Sequence, residues 1–248
     1  MDIFAYLKRI DYLGSLAPTI ETLHSLHYAH LMAVPFENLD ILLGRGIVLD
    51  EASLFDKIVY HKRGGFCYEL NGLFAALLRE LGFNVQRLSA RVAKAEGGIG
   101  PEFDHMTLLV QLEERWLADV GFGDSFRQPL RLDERGEQVQ RAGRYRIADD
   151  GDHLTYLSLK NDGWFPQYVF RLQPYALADF IGGCDYAQTS PESSFTRWRV
   201  CSRATPLGRI TLSDQKLIIT SNGSRKEHEL KDEDEVEAVL YKEFDIVL

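Results

Sequence analysis

A single cysteine set between a pair of glycines and a helix is the feature that most constrains this chain. Gly64 and Gly65 precede Phe66 and Cys67, and apolar residues then recur at helical spacing over 73–81 until Gly82 ends the pattern. This spacing places Cys67 at or near a helix N-terminus, where the helix dipole stabilises a thiolate. Because the thiolate is the nucleophile, we predict that Cys67 is catalytic; the alternative is a buried structural cysteine beside a turn.

The surroundings of Cys67 also fit acyl chemistry. We expect the glycines to allow a tight turn and a close approach of a substrate carbonyl to the backbone. Backbone N–H groups at the same helix start are suited to stabilising an oxyanion.

A cysteine nucleophile needs a base, and the base needs an orienting partner. His105 precedes a β-branched, apolar run over 106–112, and a second such run over 115–120 contains Asp119. Two strand-like runs separated by Glu113 and Glu114 predict a β-hairpin, whose open ends are neighbours. We therefore predict His105 as the base and Asp119 as its orienting residue.

The register of this hairpin decides whether the two side chains meet. A two-residue loop at Glu113 and Glu114 would pair Asp119 with Leu108, and Asp119 and His105 would then point to opposite faces. A working pair requires a loop of odd length or a β-bulge. Both solutions stay open in the sequence.

Motifs along nearly the whole chain occur together, in this order, in one protein family. They lie at residues 6–10, 34–39, 63–71, 81–83, 90–92, 105–112, 119–123, 189–195 and 205–209. On these motifs the chain resembles the arylamine N-acetyltransferases of the bacterial type. Carried over by position, the Cys-His-Asp triad of that family falls on Cys67, His105 and Asp119.

The resemblance implies an α+β fold with a papain-like Cys-His-Asp arrangement. It implies a helical bundle over 1–83, a β-barrel over 84–173, and a linking helix with an α/β lid over 174–248. The implied reaction moves an acetyl group from acetyl-CoA, used as a substrate and not as a bound cofactor, to an aromatic amine or hydrazine. Candidates for an apolar substrate pocket are Phe36, Val92, Phe122 and Phe195, and we expect Arg63 and Glu37 to pair beside the site.

Composition narrows the class of protein further. The 248 residues carry a net charge of −9, which argues against nucleic-acid binding. No apolar run reaches membrane-spanning length, and the N-terminus lacks a signal-peptide pattern. The three cysteines do not form an even disulfide set, which favours a reducing, cytoplasmic setting. For His24, His27 and His30 we expect packing or exposure and no metal site.

Local patterns predict the order of elements. Helices dominate up to Phe83, and strand patterns dominate from Asn84 to about Leu172. We expect a helix from Pro174 that stops at the glycine pair 182–183. Beyond it, the runs 209–212 and 216–220 predict a hairpin, Asn222 and Gly223 predict a turn, and an amphipathic helix ends the chain.

Three other functions use parts of the same pattern. A transglutaminase or cysteine peptidase has the same three residue types, but the surrounding motifs favour the acetyltransferases. An amide synthase that closes macrocycles is the alternative within the superfamily. A non-catalytic scaffold is disfavoured because Cys67, His105 and Asp119 are all present.

Overall fold

The computed structural model describes residues 1–160 and 163–248. The first third of the chain is mainly helical, as predicted. Its helices are α1 (Ile3–Arg9), α2 (Ile20–Ala33), α3 (Leu39–Leu42), α4 (Glu51–Phe55), which continues as a π-helical turn (Asp56–Tyr60), and α5 (Cys67–Glu80). Helix α5 is buried over its first three turns, and Gly82 follows it with a left-handed φ of 86°. The predicted start at Cys67 and stop at Gly82 are thus confirmed.

An eight-stranded antiparallel sheet follows and curls into a nearly closed barrel. Its strands are β2 (Asn84–Val92), β3 (His105–Gln111), β4 (Arg115–Ala118), β5 (Leu130–Arg131), β6 (Gln138–Gln140), β7 (Gly143–Asp149), β8 (Leu154–Lys160) and β9 (Gly163–Tyr175). They lie in the order β5-β4-β3-β2-β9-β8-β7-β6. The inside of the barrel is apolar and rich in aromatic rings, among them Phe126, Tyr145, Tyr156, Tyr168 and Phe170.

Two glutamine side chains join the edges of the barrel, β5 and β6. The N–H of Arg131 donates to Gln138 Oε1 at 2.8 Å, and Gln138 Nε2 donates back to the Arg131 carbonyl at 2.9 Å. Gln140 binds the backbone of Gln128 in the same way, accepting at 3.1 Å and donating at 2.7 Å. Side-chain amides therefore replace a backbone ladder along this seam.

A second antiparallel sheet has the order β1-β10-β11-β12-β13. Its strands are β1 (Phe36–Glu37), β10 (Val200–Thr205), β11 (Gly208–Ser213), β12 (Lys216–Ser221) and β13 (Ser224–Glu229). The C-terminal helix α8 (Glu233–Phe244) packs on it through Val236, Leu240 and Phe244. The predicted hairpin, turn and final helix are confirmed.

The segment that joins the two sheets differs from the prediction. Strand β9 continues through Pro174, which pairs with Leu88 beside a β-bulge. A 3₁₀ turn (Leu177–Phe180) then leads into α6 (Ile181–Thr189), and a short α7 (Ser194–Arg197) follows. The predicted stop at 182–183 is wrong because α6 passes through both glycines. The division at residues 83 and 173 stays a prediction. Strand β9 extends across residue 173, and β1, from the first part of the chain, pairs with β10 in the second sheet.

Candidate active site

Cys67 is the first residue of α5 and is buried. The chain enters this helix along β1, where the N–H of Glu37 donates to the Gly65 carbonyl at 2.9 Å. The carboxylate of Glu69 then caps the helix start by accepting from the Phe66 N–H at 3.1 Å. Both contacts fix the backbone directly before the predicted nucleophile.

The glycine pair before Cys67 serves packing within the protein. A Cβ atom on Gly64 would lie 2.0 Å from the Pro35 carbonyl oxygen, and one on Gly65 would lie 2.6 Å from Glu69 Oε2. Both positions are closed to larger residues by the chain itself. The expected approach of a substrate carbonyl to these glycines stays a prediction.

The β3–β4 hairpin resolves the question of register. Gln111 pairs with Arg115 and Leu108 with Ala118, which leaves a loop of odd length from Leu112 to Glu114. Continuing this register places Asp119 opposite Thr107, on the same face of the hairpin as His105. The odd-length loop is thus the solution that the fold adopts.

His105 and Asp119 form a buried hydrogen-bonded pair. The distance between His105 Nε2 and Asp119 Oδ2 is 2.7 Å. A carboxylate can only accept, so Nε2 carries the proton and Nδ1 of a neutral ring is free to act as a base. Burial acts to raise the pKa of Asp119, but His105, the Asn71 amide and the Gly121 N–H together hold it below its ordinary value.

Asn71 is a functional candidate that the sequence analysis did not single out. Its Nδ2 donates to Asp119 Oδ1 at 2.8 Å and to the Met106 carbonyl at 2.6 Å. Its Oδ1 accepts from the Val120 N–H at 2.9 Å. One side chain of α5 therefore holds both strands of the hairpin. The available signal was spacing, because a residue four positions after Cys67 lies on the same helix face.

Two backbone contacts bring Cys67 to the same place. The backbone of Met106, next to His105, is close enough to the Cys67 thiol to lower its pKa. A Cβ atom on Gly121, two residues after Asp119, would lie 2.8 Å from Cys67 Cα and 3.0 Å from its carbonyl oxygen. The three predicted catalytic residues thus come from segments that touch.

Burial opposes ionisation of the cysteine. It raises the pKa of the Cys67 thiol well above the ordinary value, and the Met106 backbone offsets this only in part. The helix N-terminus alone therefore does not produce the lowered pKa that its position predicts. A thiolate here depends on a base that accepts its proton at once.

The predicted pocket residues fall into separate places. Phe36 and Phe195 pack against the buried cluster that contains Cys67, with their ring centroids 6.0 Å apart. Phe122 packs edge-on against His105 at 5.1 Å. Val92 ends β2, and its N–H donates to the carboxylate of Asp104, the residue before His105, at 3.3 Å. Contact of these four residues with substrate stays a prediction.

The predicted pair of Arg63 and Glu37 is confirmed and belongs to a larger buried network. Arg63 Nε donates to Glu37 Oε1 at 3.1 Å, and Arg63 Nη1 lies 3.0 Å from Asp40 Oδ1. Lys57 Nζ lies 2.8 Å from both Asp40 Oδ2 and Glu69 Oε1. The network links β1 and α3 to the first turn of α5.

Two further properties concern ligands and membranes. Over residues 1–160 and 163–248, no group of three or more His, Cys, Asp and Glu side chains is placed to hold a metal ion. In the same part of the chain, every helix is too short or too polar to span a bilayer.

Comparison with known proteins identifies the family. The N-acetyltransferase family matches residues 19–248. An arylamine N-acetyltransferase / N-hydroxyarylamine O-acetyltransferase of Salmonella typhimurium is 39% identical over 215 residues, which cover 86% of this chain and 76% of that protein. The chain belongs to the arylamine N-acetyltransferase family.

Solved structures of arylamine N-acetyltransferases have the same fold. The Salmonella typhimurium enzyme superposes with a TM-score of 0.94 at 35% identity, covering 98% of this chain and 90% of its own. The Mycobacterium marinum enzyme in complex with CoA gives a TM-score of 0.92 at 34% identity, covering 99% and 93%. The resemblance inferred from the motifs is confirmed.

Proposed function

We propose that this arylamine N-acetyltransferase moves an acetyl group from acetyl-CoA to an aromatic amine or hydrazine through an acetyl-Cys67 intermediate. The hydrogen bond from His105 Nε2 to Asp119 carries the argument. It leaves Nδ1 as the basic nitrogen in a segment that touches the backbone of Cys67. We interpret this as a papain-like triad on a helix N-terminus.

The first half of the reaction acylates the enzyme. His105 Nδ1 takes the proton of Cys67, and Asp119 stabilises the imidazolium that forms. The thiolate attacks the thioester carbonyl, and the first N–H groups of α5, which have no partner within the helix, stabilise the oxyanion. The bond between the carbonyl carbon and the CoA sulfur breaks, and His105 returns the proton to that sulfur.

The second half transfers the acetyl group to the amine. The neutral amine attacks the acetyl-Cys67 carbonyl, and His105 Nδ1 accepts the proton that the nitrogen loses. The bond to Cys67 Sγ breaks, and the sulfur recovers the proton from His105. The aromatic rings of Phe36, Phe122 and Phe195 support an apolar acceptor beside these groups.

The covalent intermediate is tested by mass spectrometry. Acetyl-CoA alone should add one acetyl group to the Cys67 peptide, and this group should leave when an arylamine is added. Cys67→Ala should lose at least about 10³-fold in transfer rate, whereas Cys184→Ala should still acetylate Cys67. Acetylation confined to Cys184 or Cys201 would refute the proposal.

Steady-state kinetics give an independent test. Because CoA leaves before the amine reacts, double-reciprocal plots at several acetyl-CoA concentrations should be parallel. Intersecting lines would indicate direct transfer in a ternary complex and would remove the role of Cys67.

We also propose a reducing, cytoplasmic location for the enzyme. Its three cysteines are free and buried, which supports a compartment that keeps thiols reduced.

A further inference from the structure

His27 is a fully buried imidazole in α2 that contacts both ends of one catalytic loop. Its Nε2 lies 3.1 Å from both the backbone nitrogen and the carbonyl oxygen of Asp119, and its Nδ1 lies 2.9 Å from the Arg127 carbonyl oxygen. The loop of residues 119–127 is therefore held at both ends by this ring, at Asp119 through Nε2 and at Arg127 through Nδ1.

The contacts define the tautomer of His27. The Arg127 carbonyl can only accept, so Nδ1 carries the proton. A neutral ring has one N–H, so Nε2 is then unprotonated and accepts from the Asp119 N–H. The opposite tautomer would bond only the Asp119 carbonyl oxygen and would leave both the Arg127 carbonyl and the Asp119 N–H without this partner. A doubly protonated ring would lose this acceptor, and burial keeps the ring neutral by lowering the pKa of His27 to about 4.

Aromatic neighbours fix the plane of the ring. Phe126, within the loop, stacks on His27 with a centroid distance of 5.7 Å and an interplanar angle of 16°. Phe74 of α5 contacts it edge-on at 6.0 Å. The imidazole is thus held between the loop and the helix that carries Cys67.

The loop connects these contacts to the chemistry. Besides Asp119, it contains Gly121, which packs on the Cys67 backbone, and Phe122, which packs on His105. We propose that His27 is a positioning residue that anchors the start of this loop through the Asp119 N–H and sets the Asp119 carboxylate against His105. This inference rests on the triad proposed above and adds to Asn71 a second residue that supports Asp119.

Two substitutions separate the contacts of His27. His27→Gln places an amide oxygen near the position of Nε2 and keeps an acceptor for the Asp119 N–H. His27→Asn places an amide nitrogen near the position of Nδ1 and keeps only the bond to Arg127. His30 supplies the matched control: it is buried in the same helix and contacts Phe74 at 5.4 Å, and its Nδ1 bonds to the Tyr6 hydroxyl at 2.8 Å.

The experiment measures three quantities on each variant: the melting temperature, the rate of Cys67 acetylation by acetyl-CoA, and the pH profile of Cys67 alkylation by iodoacetamide. His27→Asn should acetylate about 10–100-fold more slowly and should shift the alkylation profile to higher pH, as expected for a misplaced supporting residue. His27→Gln should stay within about threefold of the wild type. His30→Asn should lower the melting temperature without moving the profile.

The outcomes distinguish this inference from the proposed function. Equal effects of His27→Gln and His27→Asn, or an effect of His27→Asn no larger than that of His30→Asn, would overturn the role of His27 and leave the triad intact. A wild-type profile like that of a free thiol would overturn the triad, and the role of His27 with it.

Discussion

At the scale of the residue, Cys67 combines a position that favours a thiolate with a burial that opposes one. The helix N-terminus and the Met106 backbone stabilise negative charge, while loss of hydration destabilises it. In the triad proposed above, His105 takes the proton of Cys67, and the buried anion then becomes half of an ion pair. The thiol and the imidazole are therefore expected to ionise together.

Joint ionisation predicts an unusual response to His105→Ala. Wild-type Cys67 should react with iodoacetamide well below pH 7. In His105→Ala, burial acts without a base, and half-maximal reactivity should move above the value of ~8.5 for a free thiol. Asp119→Asn should give an intermediate profile, because the imidazolium loses its counter-charge.

Cys184 serves as the internal control for that experiment. Burial raises its pKa to about 12, so its reactivity should stay low in every variant. A Cys67 profile that neither substitution moves would contradict the joint ionisation.

Asn71 predicts a change on the acid side of the pH profile. Its amide is one of the groups that hold the pKa of Asp119 low, so Asn71→Leu should raise that pKa. The ionised Asp119 contributes stability and activity above its pKa, and both are lost as the pH falls through it. Asn71→Leu should therefore lose acetylation at a higher pH than the wild type during acidification. An unchanged acid limb would exclude this role.

Residue type and spacing identified only part of this site. Cys67, His105 and Asp119 were predictable because each stands at the end of a recognisable helix or strand. Asn71 and His27 were not, because their partners lie on the hairpin and the 119–127 loop, whose positions against α2 and α5 depend on tertiary packing. Val92 was chosen from a motif, and its contact with substrate stays a prediction.

At the scale of the element, helix α6 contains a glycine that allows close packing and does not end the helix. Gly182 has no atom within 4 Å of the Cβ position, whereas a Cβ on Gly183 would lie 2.5 Å from the Phe103 carbonyl oxygen and 2.8 Å from the Tyr68 hydroxyl. The hydroxyl of Tyr68 donates to the carbonyl of Phe103 at 2.7 Å, and Phe103 lies two residues before His105 in the sequence. The sequence pattern did not reveal this difference between adjacent glycines.

Replacing either glycine of α6 by alanine should change the free energy of unfolding in opposite directions at the two positions. Gly182→Ala should raise the free energy of unfolding by about 0.5–1 kcal/mol, because alanine costs less conformational entropy in a helix. Gly183→Ala should lower it by about 1–3 kcal/mol through overpacking and should slow acetylation by displacing Phe103. Urea unfolding and acetylation rates check both values. Similar effects at the two positions would contradict the described packing.

At the scale of the whole molecule, arginines join the second sheet to the other parts through backbone carbonyls. Arg127 of the catalytic loop donates both Nη groups to the sheet, to the carbonyls of Thr205 and Gly208. Arg203 of β10 donates to the Met32 carbonyl at 2.6 Å, at the end of α2. Both guanidinium groups thus join parts of the chain that are far apart in sequence and that no local sequence pattern connects.

The two hydrogen bonds of the Arg127 guanidinium predict a loss of stability when lysine replaces arginine. Arg127→Lys keeps the charge but loses the planar pair of donors. The free energy of unfolding should fall by about 1–3 kcal/mol, since a half-buried carbonyl loses its hydrogen bond to a charged group. The exposed Arg225 provides the control, and Arg225→Lys should change the unfolding curve little. Equal curves for the two variants would exclude these two hydrogen bonds as stabilising contacts.

The glutamine seam between β5 and β6 has a consequence for the order in which the barrel opens. Side-chain amides turn about several single bonds, whereas the ladder between β2 and β3 is built into the backbone. The backbone N–H groups of Arg131 and Gln128 should therefore exchange with deuterium well before those of β2 and β3. The barrel should thus open first between β5 and β6, and the amide groups of β3, which carries His105, should be among the last to lose protection against exchange.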